Sequence, residues 1–202
     1  PIDKEDVRPF VAVAEHIARN GYSAPRILAR SEAQGLLLLE DLGSDSFTQL
    51  LKGQPSDAAL EHDLYAAAID LLAEWHEEGR GFAAPDDLPL PLYDAALLLR
   101  ETSLLPDWFL PQVIGPDKAA QAKAEYMAIW QRIIAQAPLA TNQLVHRDYH
   151  ADNLMWLPDR NGAARVGLLD FQDAVYGDAA YDLVSLLEDA RRDVSPNLAQ
   201  AM

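Results

Sequence analysis

Apolar residues recur at a helical period near the start of the chain. Val7, Phe10, Val13 or Ala14, and Ile17 share one face, and Asn20-Gly21 closes the run. Arg26 to Ala29 reads as a short extended piece, and Gly35-Leu36-Leu37-Leu38-Leu39-Glu40 as a buried strand stopped by Asp41-Leu42-Gly43. Pro55-Ser56-Asp57 predicts a helix start with Ser56 as N-cap. That helix should run to about Glu78, with Leu60, Leu64, Ala68, Leu71 and Trp75 on one face and Gly79 as its stop. Gly79 to Pro91 reads as a loop. Further helices are predicted over Leu92 to Ser103 and over Asp117 to Ala137, the second between Pro116 and Pro138. The strongest later β-signal lies at 144 to 170, before a last helix near Ala179 to Arg191. The pattern is mostly helical, with a few strands early and one hairpin late.

Composition narrows the function. The 202 residues are half hydrophobic, enough for one domain or two small lobes. Acids outnumber bases 32 to 16, a net charge of −16, so phosphate backbones and anionic lipid would repel this chain. Zero cysteines exclude disulfides, thiolate metal sites and cysteine nucleophiles. No apolar run approaches the roughly 20 residues of a membrane span, and the polar start carries no signal-peptide pattern. A cytoplasmic protein is expected. The first residue is Pro1, and the helical stretch before Met202 has no stop signal, which predicts a piece of a longer protein.

The chemistry concentrates at His146-Arg147-Asp148-Tyr149-His150-Ala151-Asp152-Asn153-Leu154, followed by the turn Pro158 to Gly162 and then Leu168-Leu169-Asp170-Phe171. Folded as a hairpin, strand 154–157 pairs with 166–169, and Asn153 and Asp170 converge at one open end. Two oxygen-bearing side chains there suit Mg²⁺ on ATP phosphates. Asp148, on the loop feeding this point, is placed to take a proton from a hydroxyl. The spacing from His146-Arg147-Asp148 to Asn153, with Asp170 after it, is a kinase catalytic signature.

These residues resemble the aminoglycoside phosphotransferase-like kinases, which share the protein-kinase fold and phosphorylate small molecules. That family usually has Gly where this chain has Arg147, and has His at the position of His150. With Leu169-Asp170-Phe171-Gln172 and Gly177-Asp178-Ala179-Ala180-Tyr181-Asp182-Leu183, the segment is similar to the bacterial anomeric kinases of N-acetylmuramate and N-acetylglucosamine. The resemblance is tight over residues 144 to 190 and looser over 36 to 79. It implies an α+β, protein-kinase-like fold: the end of a small lobe and a hinge over 1–43, and a large helical lobe over 44–202. It implies ATP held at Leu39, at the Glu40 carbonyl and at the Leu42 N–H, Asp148 as the base, and Mg²⁺ on Asn153 and Asp170. It also implies a phosphate-gripping Lys on an earlier strand. Lys4, Lys52, Lys118 and Lys123 are the four lysines, and none lies in such a strand. Glu15 is the first-helix acid that would pair with that Lys.

The inserted region Tyr93 to Pro138 shapes the acceptor pocket in the family. Glu101 and Trp108 from it, with His150, are the acceptor contacts expected here, since sugars stack on aromatics and bond carboxylates. His146 and Arg147 are expected to support the loop, Arg147 through a carboxylate or a backbone carbonyl. Asp178 and Asp182 open a helix, where negative charge serves as capping. The expected acceptor is an amino sugar. The alternatives are an aminoglycoside, which an acidic surface would attract, and a pseudokinase nucleotide-binding module. A protein kinase fits less well, because Gln172 stands where Asp-Phe-Gly would end. A metal site from His146, His150, Asp148 and Asp152 is disfavoured because these residues lie on a loop. The adjacent acids Glu40-Asp41 and Asp86-Asp87 point apart, which disfavours a glycosidase dyad.

Overall fold

The computed structural model describes residues 6–52, 57–77, 88–140 and 142–202. Helix α1 spans Arg8–Arg19 and turns Val11, Val13, Ala14 and Ile17 into the core. Strands β1 (Ile27–Ser31) and β2 (Leu36–Leu39) pair antiparallel from Ile27↔Leu39 to Ser31↔Leu36, with an irregularity between Ile27 and Ala29. Leu28, Leu36 and Leu38 are exposed on this ribbon, so the Leu36–Leu39 strand is half-buried and not enclosed as its composition suggests.

Helix α2 (Phe47–Leu51) is a single turn that buries Phe47, capped by Ser46. Helix α3 covers Ala58–His76. Its cap is Asp57, not Ser56: the Asp57 carboxylate accepts from the N–H groups of Ala59 and Leu60, both at 3.0 Å. Ser56, Gly79 and the Asp86-Asp87 pair lie outside the described residues. Leu64, Tyr65, Ala68, Leu71 and Trp75 of α3 form the centre of the main core. Helix α4 covers Ala95–Thr102 and starts later than the pattern predicts. The reason is local pairing: Leu92 bridges Tyr176, and the Tyr93 N–H donates to the Tyr176 carbonyl at 2.8 Å. Asp94 then caps the helix through the Leu97 N–H at 2.9 Å.

A π-helical turn, Leu105–Phe109, leads into α5 (Leu110–Ile114) and the long α6 (Pro116–Ile134). Three-residue strands follow: β3 (Gln143–Val145), β4 (Leu154–Trp156), β5 (Val166–Leu168) and β6 (Val175–Gly177). They form two ribbons, β3–β6 and β4–β5, both antiparallel. The expected hairpin is present, with Leu154 opposite Leu168 and Trp156 opposite Val166. The chain after α1 runs beside it, where the Leu168 N–H donates to the Ser23 carbonyl at 2.7 Å. Helix α7 (Ala180–Leu187) stops earlier than the composition suggests, and α8 (Pro196–Ala201) is capped by Ser195. No helix among the described residues is long and apolar enough to cross a membrane.

Candidate active site

The hairpin positions the reactive groups. The Leu169 N–H donates to the Asn153 carbonyl at 3.0 Å, which closes the ribbon at the end where Asn153 enters and Asp170 leaves. Asn153 Nδ2 points inward, donating to the Asp148 carbonyl at 3.0 Å and lying 3.3 Å from His150 Nε2. That orientation commits the amide nitrogen and leaves Oδ1 as the free oxygen, the atom a hard cation requires. Asp170 Oδ1 accepts from Gln172 Nε2 at 2.6 Å. Asp148 keeps a side chain that is 41 % exposed, with one oxygen 4.0 Å from His150 Nε2. An accessible carboxylate therefore sits on the same short loop as the inward-tied Asn153.

Two backbone positions here are left-handed and not glycine: Arg147 at φ 75° and Asp170 at φ 60°. Asp adopts this region readily, but a long side chain does so at a cost of about 1–2 kcal/mol. Three contacts hold Arg147 in place. Its N–H donates to Asp182 Oδ1 at 3.0 Å, one guanidinium nitrogen donates to the Asp173 carbonyl at 3.1 Å, and another pairs with Glu101. Burial works against the Arg147 charge, yet the Glu101 carboxylate beside it dominates and raises its pKa. Glu101 also accepts from the Tyr93 hydroxyl, and Tyr93 packs edge-on against Tyr181 at 4.9 Å. Burial, reinforced by Glu101, pushes Tyr93 upward and keeps it a phenol.

Beneath the loop the packing is dense. Tyr149 is fully buried and donates to the Ala68 carbonyl of α3 at 2.8 Å. His146 is fully buried, edge-on to Tyr149 and Phe171. Burial, with His150 nearby, lowers its pKa to about 4, so it is neutral at physiological pH. Phe171 in turn stacks on Phe10 of α1, ring centroids 4.7 Å apart.

Asp182 requires a correction to the capping role expected of it. Although in the first turn of α7, it is 1 % exposed and aims at the loop, accepting from the N–H groups of His146 at 2.7 Å and Arg147 at 3.0 Å. Burial raises its pKa to about 7, while these two N–H groups oppose the shift. Sequence spacing hid this residue, because helix starts are rich in acids anyway. Asp178 does behave as a local cap, accepting from the Ala180 N–H at 2.9 Å.

The three expected acceptor contacts separate. Glu101 is engaged by Arg147 and Tyr93. His150 is 4 % exposed, packed under the loop beside Asn153. Trp108 is 74 % exposed on the π-helical turn. Glu15 pairs with Arg30 of β1 at 3.0 Å.

At the hinge segment, Glu40 is tied by side chain and backbone. Its N–H donates to the Arg26 carbonyl at 2.8 Å, and its carboxylate pairs with Arg26 and Arg160, both at 3.1 Å. Burial opposes its charge, but the Arg26 donors and Arg160 hold its carboxyl below the usual range. Among the described residues, the Glu40 carbonyl and the Leu42 N–H make no hydrogen bond. Leu42 rests on Gly167 of β5, where an added Cβ would lie 3.1 Å from Leu42 Cδ1 and from Met155 Cβ, and 2.9 Å from Leu157 Cδ1.

A family model described as "Phosphotransferase enzyme family" matches residues 1–202. The chain is 43 % identical over 199 residues to the N-acetylmuramate/N-acetylglucosamine kinase of Caulobacter vibrioides, covering 94 % of this chain and 52 % of that protein. A kinase of the same name from Pseudomonas putida is 37 % identical over 190 residues, covering 94 % and 51 %. The one from Neisseria meningitidis serogroup B is 31 % identical over 190 residues, covering 94 % and 53 %. The chain thus spans about half the length of these curated relatives. Among solved structures, the gentamicin-APH(2")-IIa complex superposes with a TM-score of 0.60 at 18 % identity, covering 98 % of this chain and 66 % of that one. An aminoglycoside-3'-phosphotransferase of type VIII gives 0.55 at 19 % identity, covering 96 % and 70 %. At such identity the likeness shows the fold alone, which is protein-kinase-like.

Proposed function

The chain belongs to the phosphotransferase enzyme family, and from that premise we propose that its protein transfers the terminal phosphoryl group of ATP to a hydroxyl of an amino sugar. The acceptor we assign is N-acetylmuramate or N-acetylglucosamine, phosphorylated at the anomeric oxygen. The observation that carries this reading is the convergence of accessible Asp148 with Asn153 and Asp170 at one end of the β4–β5 ribbon.

Asp148 orients the acceptor hydroxyl and takes its proton as the phosphoryl group is attacked. Asn153 Oδ1 and the Asp170 carboxylate are the oxygens that would hold Mg²⁺, which would neutralise the charge of the ATP phosphates. Asn153 does so while its Nδ2 ties the metal side of the loop to the Asp148 backbone. Base and metal ligand therefore keep a fixed separation. Arg147, locked by Asp182 and Glu101, and Tyr149, anchored to the Ala68 carbonyl, fix the backbone on either side of Asp148. Most of the acceleration then comes from positioning and charge neutralisation, with no covalent intermediate on the protein.

Adenine is assigned to the hinge, between Leu39 and Leu42, with the Glu40 carbonyl and the Leu42 N–H as its partners. The two arginine contacts to the Glu40 side chain fix the backbone from which they project. ATP as donor sets the reaction in the cytoplasm. The test offers the complete protein Mg-ATP with N-acetylmuramate, N-acetylglucosamine and kanamycin, followed by ³¹P NMR. A sugar 1-phosphate signal is expected. Turnover of kanamycin with neither amino sugar would overturn the assignment in favour of an aminoglycoside acceptor.

A further inference from the structure

Beside the catalytic loop lies a cavity of about 570 Å³ whose lining includes Arg8, Arg100, Arg147, Gln172 and Asp173, with Leu97 on its apolar wall. It adjoins both halves of the candidate site. Arg147 immediately precedes Asp148, and the Gln172 amide that lines the cavity donates to Asp170 Oδ1 at 2.6 Å. The whole chain has 16 basic residues against 32 acidic ones, so three arginines around one cavity run against the general charge.

The three guanidinium groups are not equivalent. Arg8 is paired with Asp6, which also lines the cavity, and Arg147 is paired with Glu101. Arg100, on the exposed side of α4 next to Glu101, makes no side-chain hydrogen bond or ion pair among the described residues. Asp173 repels an anion from its own side of the cavity, so an incoming negative group is favoured on the Arg100 side. A planar guanidinium with open donors is the side chain best matched to a carboxylate, which it can grip through two parallel hydrogen bonds.

The two sugars in the relatives' names differ by one such group. N-acetylmuramate is N-acetylglucosamine with a lactyl ether on C3, ending in a carboxylate. That arm leaves from C3, two carbons round the ring from the anomeric carbon, and extends its carboxylate outward from the ring. A site presenting the anomeric hydroxyl to Asp148 therefore needs its anion contact at about one ring's remove, beside the loop and not upon it.

We propose that this cavity takes the carboxylate-bearing arm of the acceptor and that Arg100 reads it, so that the enzyme prefers N-acetylmuramate to N-acetylglucosamine. The inference rests on the amino-sugar reading above and adds a specificity residue to it. Leu97 and the neighbouring prolines contact the methyl of the lactyl group, and Arg100 supplies the charge.

The test measures kcat and KM in the complete protein, wild type against Arg100→Gln and Arg100→Lys, with three acceptors. These are N-acetylmuramate, its uncharged methyl ester, and N-acetylglucosamine. For N-acetylmuramate, Arg100→Gln is expected to lower kcat/KM about tenfold or more, through KM, the size of one charge-assisted hydrogen-bonded contact. The ester and N-acetylglucosamine should change less than about twofold, the scale of a surface substitution that touches nothing else. Arg100→Lys should recover part of the loss. Equal losses on all three acceptors, or none on N-acetylmuramate, would overturn the proposal while leaving the sugar-kinase reading intact. Inorganic phosphate that competes with N-acetylglucosamine in wild type but not in Arg100→Gln, with N-acetylmuramate kinetics unchanged by the substitution, would reassign the cavity to free phosphate. No turnover of any of the three by wild type would remove the amino-sugar reading and this proposal together.

Discussion

The loop from His146 to Asn153 and the helical excursion from Ala95 to Ile134 lie side by side, yet they are built on opposite terms. Under the loop, His146, Tyr149, His150 and Asp182 are all at most 4 % exposed, and the His146 and Arg147 N–H groups and the Tyr149 hydroxyl each have a named acceptor. Along the excursion, Leu104, Leu105, Trp108, Phe109, Val113 and Ile133 are exposed by 41 % or more. The Arg147–Glu101 pair and the Tyr93 contacts join the two regions, and within the excursion Lys123 pairs with Asp107. The difference separates two jobs. On the proposed function the loop would hold the chemistry that any acceptor needs, and it is the more firmly packed of the two. The excursion would meet whatever differs between acceptors, and its exposed side chains could change there without disturbing the buried packing beneath the loop.

The largest expected effect lies on the loop. Asp148→Asn should keep Mg-ATP binding, read by calorimetric titration, while the transfer rate falls by ~10²–10⁴, the usual contribution of a general base. Near-normal turnover would take Asp148 out of the mechanism.

Next comes the joint between the regions. Glu101→Gln leaves Arg147 without its carboxylate at a left-handed backbone position, and kcat should drop about tenfold through loss of roughly 1–2 kcal/mol of loop order. The acceptor KM should stay within about twofold, on the scale of a substitution away from the bound ligand. A large rise in KM with kcat unchanged would make Glu101 an acceptor contact instead.

Acidification tests the buried layer. His146 titrates at about 4 when folded, against an ordinary 6.5, so the folded state resists taking a proton. Stability from this group is present above pH 6.5 and is lost as pH falls toward 4, on the order of 3 kcal/mol in all. Asp182 works the other way. Its folded pKa of about 7 exceeds the ordinary 3.8, so its share of stability grows as pH falls through 7 and is lost as pH rises. The two offset each other across the same window. Asp182→Asn should therefore steepen the fall in Tm between pH 7 and 4, measured by scanning calorimetry, and an unchanged slope would argue against a shifted Asp182.

Smaller effects are expected at the hinge and on the surface. Gly167→Ala should push Leu42 outward and raise the KM for ATP a few-fold, since overpacking commonly costs about 1–3 kcal/mol and most nearby atoms are flexible side-chain ends. Trp108→Ala should shift stability by no more than about 0.5 kcal/mol, because the ring is mostly in solvent. A marked loss of acceptor affinity in that variant would draw Trp108 back into the acceptor site.

The sequence is legible where partners are close along the chain. The β4–β5 ribbon follows from an apolar stretch, a Pro-to-Gly turn and another apolar stretch, and this order alone brings Asn153 and Asp170 to one end. Asp57 capping α3 instead of Ser56 is a one-residue slip within a single turn signal. Strand β6 is not legible in the sequence, since Val175–Gly177 is three residues long and pairs with β3 some thirty residues earlier. The loop partners of Asp182 and Glu101 are hidden for a related reason. Each finds its partner 35 to 46 residues away, and nothing in local periodicity encodes a side chain that leaves its own helix to hold another segment. No glycine of this chain marks the left-handed backbone at Arg147; the one pointer to it is that the family it resembles usually has Gly at that position.

The Asp182 carboxylate also turns two amide protons into reporters. The N–H groups of His146 and Arg147 are sequestered by an acceptor that belongs to α7. Their hydrogen–deuterium exchange should therefore be slow and should track the docking of that helix, not the solvent exposure of the loop itself. In a spectrum of the protein, those two signals would announce the assembly of the site without any substrate present.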